Sequence, residues 1–181
     1  MGKTKQISKD TKKRQRLSVV VVPSRAGKSL LAKSMAGYRG TEEHSFIDID
    51  DFALCQVKAS PNLQAKAGNQ QFLELELFPI IQQEISKYLG AYGKRHFIIV
   101  TSNVRLPEYL ELKDKRMEVF LPSPPFTEQH ATTLDAEGSK LFIASRTEIM
   151  LTFGSIAKVY SSFQNLVDSV ATAFDLKMKL C

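Results

Sequence analysis

The sequence predicts a three-layer α/β fold, in which a parallel sheet of about five strands carries helices on both faces. Continuous apolar segments alternate along the chain with segments whose apolar residues recur at helical spacing. Continuous apolar character is typical of strands that are buried on both faces of a parallel sheet. The segments between the strands are also long enough for the helical crossovers that parallel strands need.

The first part of this fold is predicted as strand, loop, helix and strand. Residues 17–22 are a β-branched strand, and residues 23–29 form the loop that follows it. Residues 30–35 continue into a helix that ends before Gly37. A second apolar strand, residues 44–51, ends in carboxylates.

The middle of the chain is predicted as a loop, a helix and a third strand. Residues 56–71 are polar and contain Gly and Pro, so we expect a loop or short helices over the site. Residues 72–89 have helical periodicity, and we expect Pro79 to kink or restart that helix. Residues 97–103 form a buried strand with a polar tip.

The last part supplies two more strands. Residues 117–121 are a fourth strand, and residues 126–153 contain helical stretches with mixed signals. Residues 157–163 are predicted as a fifth strand, and residues 166–176 as a final helix.

The positive charge lies in the first 16 residues. Residues 1–16 hold seven Lys or Arg and one acid, so they carry the +6 that is also the formal net charge of the whole chain. Residues 17–181, the predicted folded domain, are formally neutral and give no reason to expect a general nucleic-acid groove. We predict that residues 1–16 are a flexible basic tail, which serves as an arm for RNA or DNA, as a nuclear localisation signal or only to aid solubility.

The composition also excludes several classes. Two cysteines, Cys55 and Cys181, are too few for a disulfide framework or a four-cysteine zinc site, which favours a reducing, cytoplasmic setting. The sequence shows neither a long apolar run nor a secretion signal, so we expect no membrane partner. The oligomeric state is not indicated.

Residues 22–29 fit the phosphate-binding loop pattern G-x-x-x-x-G-K-[ST] at every diagnostic position except the first, where Val22 replaces glycine. The loop lies between a buried strand and a helix, so backbone N–H groups and the helix N-terminus can meet phosphates. We expect Lys28 to neutralise the β- and γ-phosphate oxygens and Ser29 to ligate Mg²⁺. The residues assigned to nucleotide contacts are Pro23, Ser24, Arg25, Ala26, Gly27, Lys28, Ser29 and Leu30.

The loop string resembles that of guanylate kinases, although Arg25 stands where that family has glycine. A wider resemblance, over residues 17–121, is to the shikimate kinase and gluconate kinase branch of small P-loop kinases. It rests on Asp48-Ile49-Asp50 at the end of the second strand and on the polar turn 100–104 at the end of the third. The Pro-Glu segment 107–110 and the fourth strand, 117–121, match the same family order. The glycine triplet that contacts the acidic substrate of that family is absent, so no substrate is implied.

The resemblance implies binding of ATP (or GTP) with Mg²⁺ and transfer of the γ-phosphoryl group to a hydroxyl or phosphate acceptor. In such a kinase Asp48 holds Mg²⁺ through water, and Asp50 orients or deprotonates the acceptor. Arg146 stands where a lid arginine falls, and with Lys28 it would stabilise the transferring phosphoryl.

The two acids also have an interpretation from strand geometry. Asp48 and Asp50 occupy alternate strand positions, which predicts that both face the site. Asp51 would then face away or cap the next helix. The alternative is that all three acids merely begin a solvated loop.

A second function class fits the same residues. Asp50-Asp51 and Asn103 resemble the Walker B acids and the sensor asparagine of viral-type helicases, with the basic tail holding RNA or DNA. The short spacing between Lys28 and these acids leaves room for one helix, which argues against that interpretation.

A third class is a non-catalytic binding or structural protein that keeps the kinase fold. Val22, Arg25 and the missing substrate glycines favour it.

Overall fold

The computed structural model describes most of the chain, namely residues 17–40, 43–66, 69–91, 96–111 and 116–178. The predicted basic tail, residues 1–16, and Cys181 lie outside the described residues. Cys55 is exposed, with a free thiol. Across the described ranges, no helix is long and apolar enough to cross a membrane.

In the described part of the chain, seven strands form two sheets. In chain order they are β1 (Leu17–Val21), β2 (Tyr38–Arg39), β3 (His44–Asp48), β4 (His96–Thr101), β5 (Arg116–Pro122), β6 (Lys158–Tyr160) and β7 (Lys177–Met178). The main sheet has five parallel strands in the order β3-β4-β1-β5-β6, which confirms the predicted sheet. The antiparallel pair β2-β7 was not predicted.

Helices lie on both faces of this sheet, as predicted. They are α1 (Lys28–Met35), α2 (Ile49–Ala59), α3 (Pro61–Lys66), α4 (Gln70–Ala91), α5 (Leu106–Tyr109), α6 (Pro124–Ala131), α7 (Ala136–Phe153) and α8 (Phe163–Ala173). Successive strand residues point to opposite faces: Val19 and Val21 pack with residues of α2, α4 and α7, whereas Val20 packs with residues of α1 and α8.

The structure corrects the prediction for the second strand. β3 ends at Asp48, and Asp50 and Asp51 belong to the first turn of α2. The Asp48 carboxylate accepts hydrogen bonds from the backbone N–H groups of both residues, so it caps the helix. This cap satisfies two donors that a helix N-terminus leaves without a partner, which favours helix over a longer strand.

The next segment confirms one expectation and corrects another. Residues 56–71, predicted as a loop or short helices, contain the end of α2 at Ala59 and the short helix α3. α4 runs continuously through Pro79, which therefore does not restart it. A proline removes one backbone hydrogen bond, and the buried neighbours Phe78 and Ile81 anchor α4 against the core at that point.

The carboxyl ends of three adjacent strands meet at one edge of the sheet. Thr101 of β4 pairs in register with Val21 of β1, and Val100 pairs with Asp48 of β3. The residues that follow these strands are therefore brought together, at the position where open α/β sheets bind ligands.

Candidate active site

The phosphate loop connects β1 to α1 through two residues in the left-handed backbone region. Arg25 has φ 62° and Gly27 has φ 85°. Alternation of this kind makes successive N–H groups converge, as in the anion-binding concavities of phosphate loops. Two residues with positive φ thus lie in the loop between β1 and α1, and its contacts with phosphates stay a prediction.

Gly27 is required by both conformation and space. Its φ of 85° is unfavourable for any residue with a side chain, and an added Cβ would lie 3.1 Å from the Phe163 ring at the start of α8. The second glycine of the pattern is therefore fixed by close packing of the loop against α8.

Val22, at the position of the missing first glycine, is fully buried and belongs to the core cluster on the α1 and α8 face. Its N–H donates to the Thr101 carbonyl at 3.0 Å, so it extends the pairing between β1 and β4. The valine side chain therefore packs in the core.

Ser29 faces the acids that follow β3. Its Oγ lies 2.8 Å from Asp48 Oδ2 and 2.8 Å from Asp51 Oδ2. The expectation that Asp51 faces away is therefore wrong, because the first turn of α2 carries its carboxylate back to the loop. A hydroxyl has one proton and can donate to only one of the two carboxylates at a time.

These oxygens suit Mg²⁺, which prefers hydroxyl, carboxylate, phosphate and water oxygens. Because the Ser29 proton can bridge to only one carboxylate, the oxygen of the other lies close to Oγ without a hydrogen bond. A cation beside Ser29 would attract both oxygens and remove this repulsion. Within the described ranges, no three His, Cys, Asp or Glu side chains are grouped to enclose a metal ion. Ser29 and Asp48 thus fit a partial ligand set of the kind that Mg²⁺ uses together with phosphates and water.

Burial and charge also act on Asp48. Desolvation raises the pKa of its carboxyl above the ordinary value of 3.8, and the neighbouring Asp50 and Asp51 raise it further. The Ser29 hydroxyl and Lys28 oppose this shift without cancelling it. Burial beside two further acids thus disfavours the ionised form of Asp48, which a bound cation would favour.

Asp50 is held by four groups from two segments. Lys28 Nζ lies 3.3 Å from its Oδ2. Thr101 Oγ1 donates to Oδ1 at 2.6 Å, and the N–H and Oγ of Ser102 donate to Oδ2 at 2.8 and 2.6 Å. The predicted convergence of Asp48 and Asp50 near the loop is present, although Asp50 reaches it from a helix.

The loop is also tied to the helix α7 and to the turn after β4. The Ser24 N–H donates to Ser145 Oγ at 3.0 Å, and Ser24 Oγ donates to Ser102 Oγ at 2.9 Å. His130 Nε2 lies 2.9 Å from the Arg25 carbonyl, which orders the loop from α6. Sequence reasoning missed Ser145 and His130, since they are more than a hundred residues from the loop.

The arginine expected in a lid, Arg146, lies on α7 beside Ser145. Its Nε and Nη2 are each 3.4 Å from the Pro122 carbonyl, at the end of β5. Burial raises the pKa of the Tyr160 hydroxyl, and the positive charge of Arg146 opposes that shift. In this structure Arg146 thus contacts β5 and influences β6, and its assignment to the phosphoryl group stays a prediction.

Asn103, the sensor residue of the helicase interpretation, is engaged with other groups. Its amide N–H donates to Glu74 Oε1 at 2.9 Å. Its Oδ1 accepts from the N–H groups of Arg105 and Leu106. Both ends of the amide are thus used to fix the start of α5 and a buried glutamate of α4, which argues against a γ-phosphate sensor.

A cavity of about 250 Å³ adjoins Asp50. It is bounded by α2, α4 and the segment that follows β4. Its polar lining residues are Asp50, Glu74 and Asn103, and the other six are apolar: Ala53, Leu73, Leu77, Phe78, Ile81 and Leu106. This cavity could not be predicted from the sequence, because its walls come from separate segments.

Solved structures of several proteins are similar to this chain over most of its length. The tunicamycin resistance protein of Deinococcus radiodurans has a TM-score of 0.61 and 12% identity, over 93% of this chain and 100% of that protein. A shikimate kinase from Bacteroides thetaiotaomicron has a TM-score of 0.54 and 12% identity, over 89% and 98% of the two chains. A sugar kinase from Janibacter sp. has a TM-score of 0.51 and 14% identity, over 89% and 95%.

These neighbours show that the chain has a P-loop kinase-like fold, as the resemblance of its motifs predicts. At such low identities the comparison shows the fold alone. No protein-family model matches the chain, and no curated protein matches its sequence.

Proposed function

We propose that the protein binds a nucleoside triphosphate with Mg²⁺ and transfers the γ-phosphoryl group to a hydroxyl or phosphate acceptor. One observation carries this proposal: Lys28 and Ser29 of the phosphate loop converge on Asp48, Asp50 and Asp51. A cation, a hydroxyl and three carboxylates at the end of a parallel sheet are the parts that phosphoryl transfer needs.

The loop would bind the phosphates of ATP or GTP. Of residues 23–30, Pro23 has no N–H, and the N–H groups of Ser24 and Ala26 donate to Ser145 and Pro23. The remaining N–H groups of the loop and the N-terminus of α1 both favour anions. Lys28 would move from Asp50 to the β- and γ-phosphates, where its charge stabilises the transferring group. The ion pair between Lys28 and Asp50 thus keeps the lysine near its working position while no nucleotide is bound.

Ser29 and Asp48 would hold Mg²⁺, Asp48 through water. When bound, the ion neutralises charge on the phosphate oxygens. Asp51 shares the Ser29 hydroxyl with Asp48 and would orient that hydroxyl toward the Mg²⁺ position.

Asp50 would accept the proton of the acceptor. Its two carboxylate oxygens are oriented by Thr101 and Ser102, so the group is fixed before the acceptor binds. A positioned base of this kind typically accelerates proton transfer about 10²–10⁴-fold. Arg146 would contribute only after it leaves the Pro122 carbonyl, which requires movement of its side chain.

The test is Mg²⁺-dependent release of nucleoside diphosphate by the protein and by Lys28→Ala. Removal of one preorganised charge at the transferring group should lower turnover about 10²–10³-fold. Lys33→Ala is the matched control, because Lys33 lies on the same helix with an exposed side chain. Equal turnover in all three proteins would contradict the proposal.

The same assay separates the other two functions. We propose that the protein is cytoplasmic and that residues 1–16 are its contact with nucleic acid, if it has one. Turnover that single-stranded RNA raises, and that deletion of residues 1–16 returns to the basal rate, would favour a nucleic-acid-dependent NTPase over a kinase. Nucleotide binding without turnover under any condition would favour a binding protein with a kinase-like fold.

A further inference from the structure

The charges around the cavity beside Asp50 indicate what kind of acceptor it would take. Its polar lining residues are the carboxylates of Asp50 and Glu74 and the amide of Asn103. No described residue that lines the cavity is a lysine or an arginine. An anionic ligand would therefore lose its hydration beside two acids, which is unfavourable without a cation to compensate.

The two cations that pair with these acids are already engaged. Lys28 Nζ lies 3.3 Å from Asp50 Oδ2, and Arg105 Nη1 lies 3.0 Å from Glu74 Oε2. The lysine is also the group that the proposed function assigns to the nucleotide phosphates. A carboxylate or a phosphate would thus compete with Asp50 or Glu74 for one of these cations.

The remaining walls favour an apolar ligand body. Six of the nine lining residues are apolar, and they come from α2, α4 and α5. A volume of about 250 Å³ is below the roughly 300–1,000 Å³ that is typical of sites for drug-sized ligands. The cavity therefore suits a small molecule with one polar end near Asp50.

We infer that the acceptor is a small uncharged alcohol with an apolar skeleton, and that it is neither a carboxylate nor a phosphate compound. This inference rests on the proposed phosphoryl transfer and narrows its acceptor class. The alcohol oxygen forms a bond to the γ-phosphorus of the nucleoside triphosphate, and its proton passes to Asp50. The bond from that phosphorus to the bridging oxygen breaks, which releases the nucleoside diphosphate and an alkyl phosphate.

The first experiment compares two acceptors of matched skeleton, benzyl alcohol and para-(hydroxymethyl)benzoate. We expect kcat/KM for phosphoryl transfer to benzyl alcohol to be at least about 10-fold higher, since a single wall contact discriminates by that factor. Equal or better use of the benzoate would overturn the inference while leaving the proposed function intact.

A binding measurement without nucleotide makes the test independent of turnover. Benzyl alcohol should shift the methyl NMR signals of Leu77, Ile81 and Leu106, whereas the benzoate should leave them in place. Unshifted methyl signals with benzyl alcohol would overturn the inference even if nucleotide hydrolysis is normal. Loss of the proposed function is recognised separately, by equal turnover of the protein and Lys28→Ala.

A cavity-filling variant tests whether the acceptor binds in the cavity beside Asp50. Ala53→Leu adds volume from α2 into the cavity and should raise KM for benzyl alcohol about 10-fold or more. Ala59→Leu is the matched control, because Ala59 lies exposed on the same helix and outside the cavity. An unchanged KM and unchanged methyl shifts in Ala53→Leu would overturn the assignment of the acceptor to this cavity.

Discussion

The two ends of the candidate site are built from opposite kinds of contact. At the loop end, Lys28, Ser29 and Ser24 are joined to the acids and serines around them by hydrogen bonds and an ion pair of 2.8 to 3.3 Å. At the cavity end, the walls are mostly leucine, isoleucine and phenylalanine side chains. Asp50 belongs to both ends, since it pairs with Lys28 and also lines the cavity.

This difference predicts which substitutions each end of the site can tolerate. Hydrogen bonds and charges are directional, so a small change at the loop end leaves a partner unsatisfied. Apolar contacts depend mainly on area and volume, so the cavity end can accept changes of shape at lower cost. Changes at the loop end should therefore affect the rate of transfer, and changes at the cavity end should affect the choice of acceptor.

The largest effect is expected for Asp50→Asn, because this residue serves both ends. An amide cannot take the proton of the acceptor, so kcat should fall about 10²–10⁴-fold. Nucleotide affinity should be retained, since Lys28 loses a competing partner. Kinetic measurements and a nucleotide titration check both parts.

The matched control for that variant is Asp168→Asn, which removes an exposed carboxylate of α8 that contacts Gln164. It should leave kcat unchanged. Full activity in Asp50→Asn would remove this residue from the reaction and break the link between the two ends.

A second prediction tests the directional character of the loop end. Gly27→Ala places a Cβ at φ 85° and 3.1 Å from the Phe163 ring, which should lower the free energy of unfolding by about 1–3 kcal/mol. Gly90→Ala is the control, since Gly90 lies in α4 with open space around it. That change should stabilise the protein by up to about 1 kcal/mol.

Urea denaturation of the two glycine variants measures both values. Because each variant adds the same methyl group, the difference between them reports the backbone and the surroundings alone. A shift of the same sign and size in both would mean that Gly27 is not constrained by the loop.

A third prediction concerns the polar group that closes the cavity end. Glu74 is buried, and Glu74→Gln replaces an acceptor for Arg105 with an amide donor. We expect the free energy of unfolding to fall by about 1 kcal/mol, a value reduced because the arginine is largely exposed. The control is Glu76→Gln, whose exposed pair with Lys66 should contribute close to nothing.

The loop end could be predicted from the sequence because its residues are consecutive. Gly27, Lys28 and Ser29 follow a buried strand without interruption, and the alternation of strands and helices predicts the sheet around them. The local pattern predicts these positions because a consecutive motif between a strand and a helix can be recognised without knowledge of the distant groups that contact it.

The acids after β3 were predicted only in part. Their position near the loop follows from the order of parallel strands, but their secondary structure does not. Asp48 and Asp51 are both suitable helix caps by composition. In the structure Asp48 is the cap, and Asp50 of the first turn is hydrogen-bonded to Thr101 and Ser102. These two partners are about fifty residues away in the sequence.

The cavity end was not predicted, for a related physical reason. Its apolar residues look like ordinary core residues of α2, α4 and α5, and only their relative placement leaves a space. Similarly, Ser145 is 121 positions from Ser24. Contacts of this kind leave no periodic signal in the sequence.

The smallest effect is expected for Asp48→Asn, which separates capping from charge. Asn caps a helix about as well as Asp, so the hydrogen bonds to the first turn of α2 should be kept. The variant removes a carboxylate whose pKa is raised by burial and by Asp50 and Asp51. Apo protein should therefore become slightly more stable at neutral pH, while Mg²⁺-dependent nucleotide binding weakens.

The raised pKa of Asp48 determines how the stability gained in Asp48→Asn changes with pH. A carboxyl with a raised pKa in the folded state holds its proton longer there than in the unfolded chain, so its effect on stability is favourable at low pH and is lost as pH rises from about 3.8 through the folded pKa. The gain from Asp48→Asn should grow across that interval and then stay constant. Asp135→Asn, at the matching cap of α7, is the control for exchanging one capping side chain for the other. If urea denaturation gives a gain for Asp48→Asn that does not change across that pH interval, the charge of Asp48 does not limit the stability of the protein without nucleotide, and the loop end accommodates its acids without a cation.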